Sequence, residues 1–220
     1  MKSSIQFPDI HLTYEDGLLA VGGSLDVATL FEAYKRGIFP WPQVGYPMLW
    51  FSPENRGVLD FSDLHVSRSL EKQQKQQEYT FTINQNFEQV IEACQSQPRK
   101  NQSGTWIVPE LKKAYVNFHQ AGYAHSVECW KGSALVGGIY GVFIEGVFSG
   151  ESMFHRLPNV SKLAFLFLVQ HLQGRGLQWM DIQMVTPVTE NLGGKYISRD
   201  EFLNRIQNSQ RKWHLHNFSF

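Results

Sequence analysis

Cysteine is scarce in this chain of 220 residues, which has only Cys94 and Cys129. Two thiols cannot build a disulfide framework, and neither lies in a CxxC or Cys/His spacing suited to zinc. Both are expected as buried thiols. An excess of either charge is missing too, with 20 basic against 20 acidic side chains. A general electrostatic attraction to nucleic acid is thereby excluded, and any such site has to be a local patch. No apolar run approaches the length that crosses a bilayer, and the opening MKSSIQFPDIHLTYEDG lacks the apolar stretch of a secretory signal. A cytoplasmic protein that does not enter a membrane is expected. Internal repeats are absent, and low complexity is confined to the short EKQQKQQEY.

What is present is the composition of a folded domain, 42% hydrophobic and 18% charged, with 16 Phe, 8 Tyr and 6 Trp. The length suffices for one large domain or for one with a small companion. The early chain is rich in Gly, Pro and Trp, in GLLAVGG, RGIFPWPQVGYP and LWFSPENRG. Between these lies one helix that Asp26 caps and Gly37 ends, with Val27, Leu30, Phe31 and Tyr34 on one face. A small loop-rich N-terminal unit over 1–62 is expected.

From Ser67 the signals become regular. SRSLEKQQKQQ reads as a helix, and YTFTIN alternates as a strand does. Asn86 is placed to cap a helix carrying Phe87, Val90, Ile91 and Cys94, and Pro109 opens another carrying Leu111, Ala114, Tyr115 and Phe118, stopped by Gly122. Three strands in a meander follow, at Ala124 to Trp130, Ala134 to Tyr140 and around Gly146 to Gly150. SKLAFLFLVQHLQ is apolar nearly all round, as in a helix packed deep against a sheet. LQWMDIQM reads as a strand, Ser198 and Glu201 as the capping box of a short helix, and WHLHNF as a last strand. The order is similar to the GNAT acyltransferase fold: an α+β unit over 63–220 with a mixed, mostly antiparallel sheet.

Polar residues inside apolar strands mark the candidate chemistry. Glu151 lies in GVFSGESMF, and Asp181 and Gln183 in WMDIQM. Two residues apart on a strand, Asp181 and Gln183 project from one face, a carboxylate beside an amide, and can grip an amine. The plainer alternative has Asp181 capping a turn and Glu151 paired with Arg156. Loop aromatics form a second group, with Trp41 in GIFPWP, Trp50 and Phe51 in LWFSP and Trp106 in GTWIVP; they either stack on unpaired bases or anchor a small core. Arg68, Lys72 and Lys75 fall at i, i+4 and i+7, a stripe suited to a phosphate track or to plain solvation.

GLLAVGGSL, AYKRGIFPWP, LWFSPENR, LHVSRSL, GTWIVPEL, AHSVECW, LVGGIYG, GESMF and DIQ occur in that order. Together, from about Gly17 to Phe202, they closely resemble the leucyl/phenylalanyl-tRNA-protein transferase family. The resemblance implies a small N-terminal domain joined to a GNAT-like domain, acting on Leu-tRNA and Phe-tRNA. The implied reaction moves Leu or Phe onto the α-amino group of proteins with N-terminal Arg or Lys, marking them for degradation by the N-end rule pathway. A monomer is the default expectation, and no metal or organic cofactor is implied.

By the same resemblance, Trp41 stacks on the 3′-terminal adenosine. Trp106, Phe148, Met153, Leu168 and Leu172 receive the aminoacyl side chain, while Arg68, Lys72 and Lys75 contact the tRNA backbone. Glu151, Asp181 and Gln183 are the implied catalytic group. Because an Asp is a weak base towards a free α-amine, Asp181 is expected to take the proton during attack, with Gln183 orienting the partners and Glu151 complementing a cationic acceptor. The chain departs from the family pattern at His155, Val160 and Ile182, at Leu168 and Leu172 where Phe is frequent, and in TPVTENLGG at Thr186 to Gly194. An acetyl-CoA transferase would need a Gly-containing turn before the long apolar helix. RLPNVSK supplies none.

Overall fold

The computed structural model describes residues 6–43, 45–98, 105–216 and 220. Its N-terminal unit is a three-stranded antiparallel sheet of β1 (Leu18–Val21), β2 (Phe39–Pro40) and β3 (Leu49–Phe51), in the order β1-β3-β2, with α1 (Val27–Lys35) between β1 and β2. Asp26 starts α1 by accepting the Thr29 N–H at 2.9 Å. Gly37 ends it with φ +75°, and a Cβ there would meet the Phe202 ring at 2.7 Å, so both the turn and the packing require glycine. Trp50 is a core anchor, 1% exposed, and its indole N–H donates to the Gly22 carbonyl at 2.8 Å.

A seven-stranded sheet forms the body, in the order β10-β4-β9-β8-β7-β6-β5. Its strands are β4 (Asn55–Asp60), β5 (Thr80–Ile83), β6 (Ala124–Lys131), β7 (Ala134–Ile144), β8 (Val147–His155), β9 (Trp179–Gln183) and β10 (Lys195–Ser198). Neighbours are antiparallel except β8 and β9, which run parallel and are in register only at Ser149 and Asp181. The expected α+β class and mixed, mostly antiparallel sheet are met. Helices α3 (Phe87–Ser96) and α4 (Pro109–Gln120) join α1 in one core with Tyr140, Val142 and Ile144 of β7. Helix α5 (Val160–Gly174) packs a second core against Phe143 and Phe148. Its sequence, apolar nearly all round, is that of a helix buried on most sides. Cys94 and Cys129 are buried thiols, and burial pushes the Cys129 thiol up to about 12.

Four local expectations change. Asn55–Asp60 precede the expected unit boundary after residue 62, yet they form β4 between β9 and β10, inside the large sheet. Asn86 makes no side-chain cap for α3; the buried Glu128 accepts the N–H groups of Gln85 and Asn86 instead, setting a carboxylate at the positive helix end. Ser198 accepts the Glu201 N–H at 3.2 Å, but the helix it opens, α7 (Arg199–His216), is long. WHLHNF is therefore no strand through His216; residues 217–219 lie outside the described ones. The divergent Thr186 to Gly194 segment holds the short α6 (Pro187–Glu190), closed by a reciprocal Thr186 and Thr189 cap.

Candidate active site

Two one-residue irregularities build the centre of the site. On β8, Gly150 pairs with Gly141 and Ser152 with Tyr140, so Glu151 is an extra residue with no partner on β7. Such a bulge bends the strand and re-aims its side chain. Gly141 permits it, because a Cβ there would lie 2.4 Å from the Ser149 carbonyl oxygen. On β9 the register likewise slips between Gly57 and Val58, leaving Ile182 extra. Gln183 then takes a left-handed φ of +59°, and the Met184 N–H donates to the Ile182 carbonyl at 2.6 Å. That three-residue turn is strained for a residue with a Cβ. Gly57 makes room for it, since a Cβ would stand 2.8 Å from the Met184 backbone.

Glu151 is the meeting point of four elements. Tyr34 of α1 donates to its Oε1 at 2.7 Å, Tyr115 of α4 to Oε2 at 3.0 Å, and the Gln183 side-chain amide to Oε1 at 2.8 Å. The two phenol oxygens also hydrogen-bond each other. Burial raises the Glu151 carboxyl from 4.5 to about 7, and the charge of Asp181 adds to the rise while the three donors oppose it. Burial, then the Glu151 charge, keeps both phenols protonated well above their ordinary range. Arg156, the alternative partner for Glu151, is exposed and makes no ion pair with it.

Asp181 is fully buried and differently occupied. Arg56 donates from Nε to Oδ1 at 2.8 Å and from Nη2 to Oδ2 at 2.7 Å. Ser149 Oγ donates to Oδ2 at 2.8 Å and the Gln183 backbone N–H to Oδ1 at 2.8 Å. Each carboxylate oxygen thus already accepts two hydrogen bonds, which is its ordinary capacity. The expected pair of Asp181 and Gln183 is brought together, but only Gln183 reaches Glu151. Tyr34, Tyr115, Ser149 and Arg56 had not been singled out for the site. A charged Arg56 followed by Gly-Val-Leu was the available signal, because a buried guanidinium demands a carboxylate.

A cleft of about 690 Å³ begins at Met184, the residue after Gln183, and is lined by Phe39, Trp41, Phe51 and Tyr196 among others. Trp41 is stacked on Trp106, with centroids 5.0 Å apart and planes at 8°. Phe148, Met153, Leu168 and Leu172 gather in the core on the α5 side, whereas Trp106 belongs to the other core. Arg68, Lys72 and Lys75 are exposed on α2 (Arg68–Lys75), a helix that Ser67 caps. Among the described residues none of the three makes an ion pair. Gln73 ties α2 to the turn before α5, donating to the Pro158 carbonyl at 3.3 Å and accepting from Asn159 at 3.2 Å.

Residues 58–207 match the leucyl/phenylalanyl-tRNA protein transferase family, and residues 23–54 match that family's N-terminal domain. The chain belongs to this family. Relatives named leucyl/phenylalanyl-tRNA–protein transferase include one from Shewanella halifaxensis, 50% identical over 199 residues covering 90% of this chain and 84% of that protein. Another from Christiangramia forsetii is 46% identical over 200 residues, covering 90% and 94%. Membership makes the chain an aminoacyltransferase, which transfers an aminoacyl group from tRNA to protein. Among solved structures, a GCN5-related N-acetyltransferase from Kribbella flavida overlaps 76% of this chain and 58% of its own, at 13% identity and a TM-score of 0.40. An overlap that loose adds nothing to the strand order given above. No helix among the described residues is long and apolar enough to cross a membrane.

Proposed function

We propose that this family member transfers leucine or phenylalanine from Leu-tRNA or Phe-tRNA to the α-amino group of proteins with N-terminal Arg or Lys. It does so as a cytoplasmic monomer, and the product is marked for degradation by the N-end rule pathway. The observation that carries the reading is the Glu151 network, whose Gln183 is followed in the chain by Met184 on the wall of a cleft holding Trp41. In this reading Trp41 and its aromatic neighbours receive the terminal adenosine, where base stacking contributes on the order of 1 to 3 kcal/mol. Phe148, Met153, Leu168 and Leu172 take the aminoacyl side chain, and Trp106 backs Trp41 instead of lining that pocket. Arg68, Lys72 and Lys75 follow the RNA backbone. In place of a boundary after residue 62, we put the junction of the two units between residues 54 and 58, a reading supported by β4 lying in the large sheet.

An aminoacyl ester is already activated, so holding the amine against the carbonyl in attack geometry is the main task. Nitrogen attacks the carbonyl carbon, the C–N bond forms and the bond to the ribose oxygen breaks. Nitrogen becomes acidic as it bonds, and its proton passes to the Glu151 carboxylate and on to the leaving ribose oxygen. A carboxyl near 7 suits that exchange better than one near 4. The same negative charge favours a cationic acceptor. Asp181, expected as the proton acceptor, is assigned to positioning because four donors occupy its oxygens. The test is transfer of labelled Leu and Phe from tRNA to peptides beginning with Arg, Lys, Asp or Glu, with acetyl-CoA as a control. Transfer confined to Arg and Lys peptides is expected; transfer only to Asp or Glu peptides, or acetylation alone, overturns it.

A further inference from the structure

Arg56 is the most enclosed cation in the site. It is 1% exposed, and its guanidinium carbon lies 4.6 Å from the centroids of both the Phe39 and Phe202 rings. Phe39 belongs to the N-terminal sheet and Phe202 to α7, so the guanidinium is clamped between the two ends of the chain while its edge faces Asp181. A buried ion pair is weak evidence for stability, because desolvation offsets its attraction. Here Arg56 Nη1 also finds no acceptor among the described residues, which adds a further unfavourable contribution. Such a pair points to a use other than stability.

That use follows from what the pair holds. Asp181 Oδ1, fixed by Arg56 Nε, accepts the backbone N–H of Gln183, the residue at φ +59°. The left-handed turn at Gln183 in turn directs its side-chain amide to Glu151 Oε1. We infer that Arg56 is a positioning residue for aminoacyl transfer: through Asp181 it holds the strained Gln183 turn, and so sets the orientation and basicity of Glu151. The inference rests on the proposed role of Glu151. It also leaves the Asp181 carboxylate, whose oxygens four donors already occupy, no part as proton acceptor.

The test uses the full chain with Arg56→Lys, which keeps a cation beside Asp181 but cannot form the two-point contact, together with Asp181→Asn and the double variant. Folding is followed by circular dichroism, transfer by kcat and KM, and the Glu151 carboxyl by carbon-13 NMR titration of the free protein. If Gln183 is released from Glu151, a donor that lowers its pKa is lost. Folded Arg56→Lys should therefore show the Glu151 titration moved to higher pH, kcat reduced by about tenfold or more, and KM values for aminoacyl-tRNA and peptide within about threefold of wild type. The double variant should be no slower than the slower single variant, because both act on one unit. A Glu151 titration unmoved in folded Arg56→Lys overturns the inference, and so do losses that multiply in the double variant. Wild-type protein inactive on every peptide, with the titration still moving, would instead fail the proposed function and leave the Arg56 linkage to Glu151 standing.

Discussion

At Glu151 the protons can be counted. Three contacts join Glu151, Tyr34 and Tyr115 in a closed triangle, and two phenols supply only two protons. With Glu151 protonated the third contact gains its proton, which agrees with a carboxyl raised to about 7 by burial. Binding a cationic acceptor favours the ionised form. The rate of transfer should accordingly rise with pH through about 7, and Glu151→Gln should lose that limb while Asp181→Asn keeps one. The same shift has a stability sign. A carboxyl raised from 4.5 to about 7 in the folded state contributes stability below 4.5 that is lost as pH rises through that window. Glu151→Gln lacks this loss, so relative to wild type it should gain on the order of 3 kcal/mol between pH 4.5 and pH 8. Urea unfolding at both pH values measures it, and parallel behaviour of the two proteins would count against a raised Glu151.

Strand irregularities, more than strand content, make this site. Gly141 lets the β8 bulge approach, and a methyl group there would collide with the Ser149 backbone at 2.4 Å. Gly141→Ala should cost about 2 kcal/mol or more of stability, since backbone must shift, and should lower kcat/KM at least about tenfold through Glu151. Gly174→Ala, where nothing lies within 4 Å of the added carbon, is the matched control and should leave both nearly unchanged. Periodicity made α1, α3, α4 and α5 and the strands of the meander legible, because their apolar spacing matches the faces they bury. It missed β4, because NRGVLD sits among loop-forming glycines and prolines and pairs only with distant β9 and β10. It misread WHLHNF, whose residues through His216 continue α7 with Trp213 turned inward to Phe143. Bulges leave no periodic trace, so Glu151 and Gln183 were visible as misplaced polar residues but their partners Tyr34, Tyr115 and Arg56 were not.

Across the whole molecule, charge is balanced at 20 against 20, so attraction for a polyanion must come from placement. Helix α2 is the proposed source: Arg68, Lys72 and Lys75 are exposed, and Gln73 holds the helix to the α5 side of the body. Glu71 lies beside them and weakens the local field without neutralising it. Each phosphate neutralised by a cation releases counterions, so affinity falls with salt in proportion to the number of such contacts. Replacing all three with Gln should reduce the slope of log affinity against log salt by about 2 to 3. The acceptor-peptide KM and kcat at saturating tRNA should stay within about twofold, because these side chains lie on α2 and none touches Glu151, Gln183 or Asp181. Filter binding of aminoacyl-tRNA across a salt series, with transfer measured in parallel, reads both quantities. An unchanged slope would remove α2 from the RNA contact, and a fall in kcat with the slope intact would mean that the helix acts on the reaction centre instead.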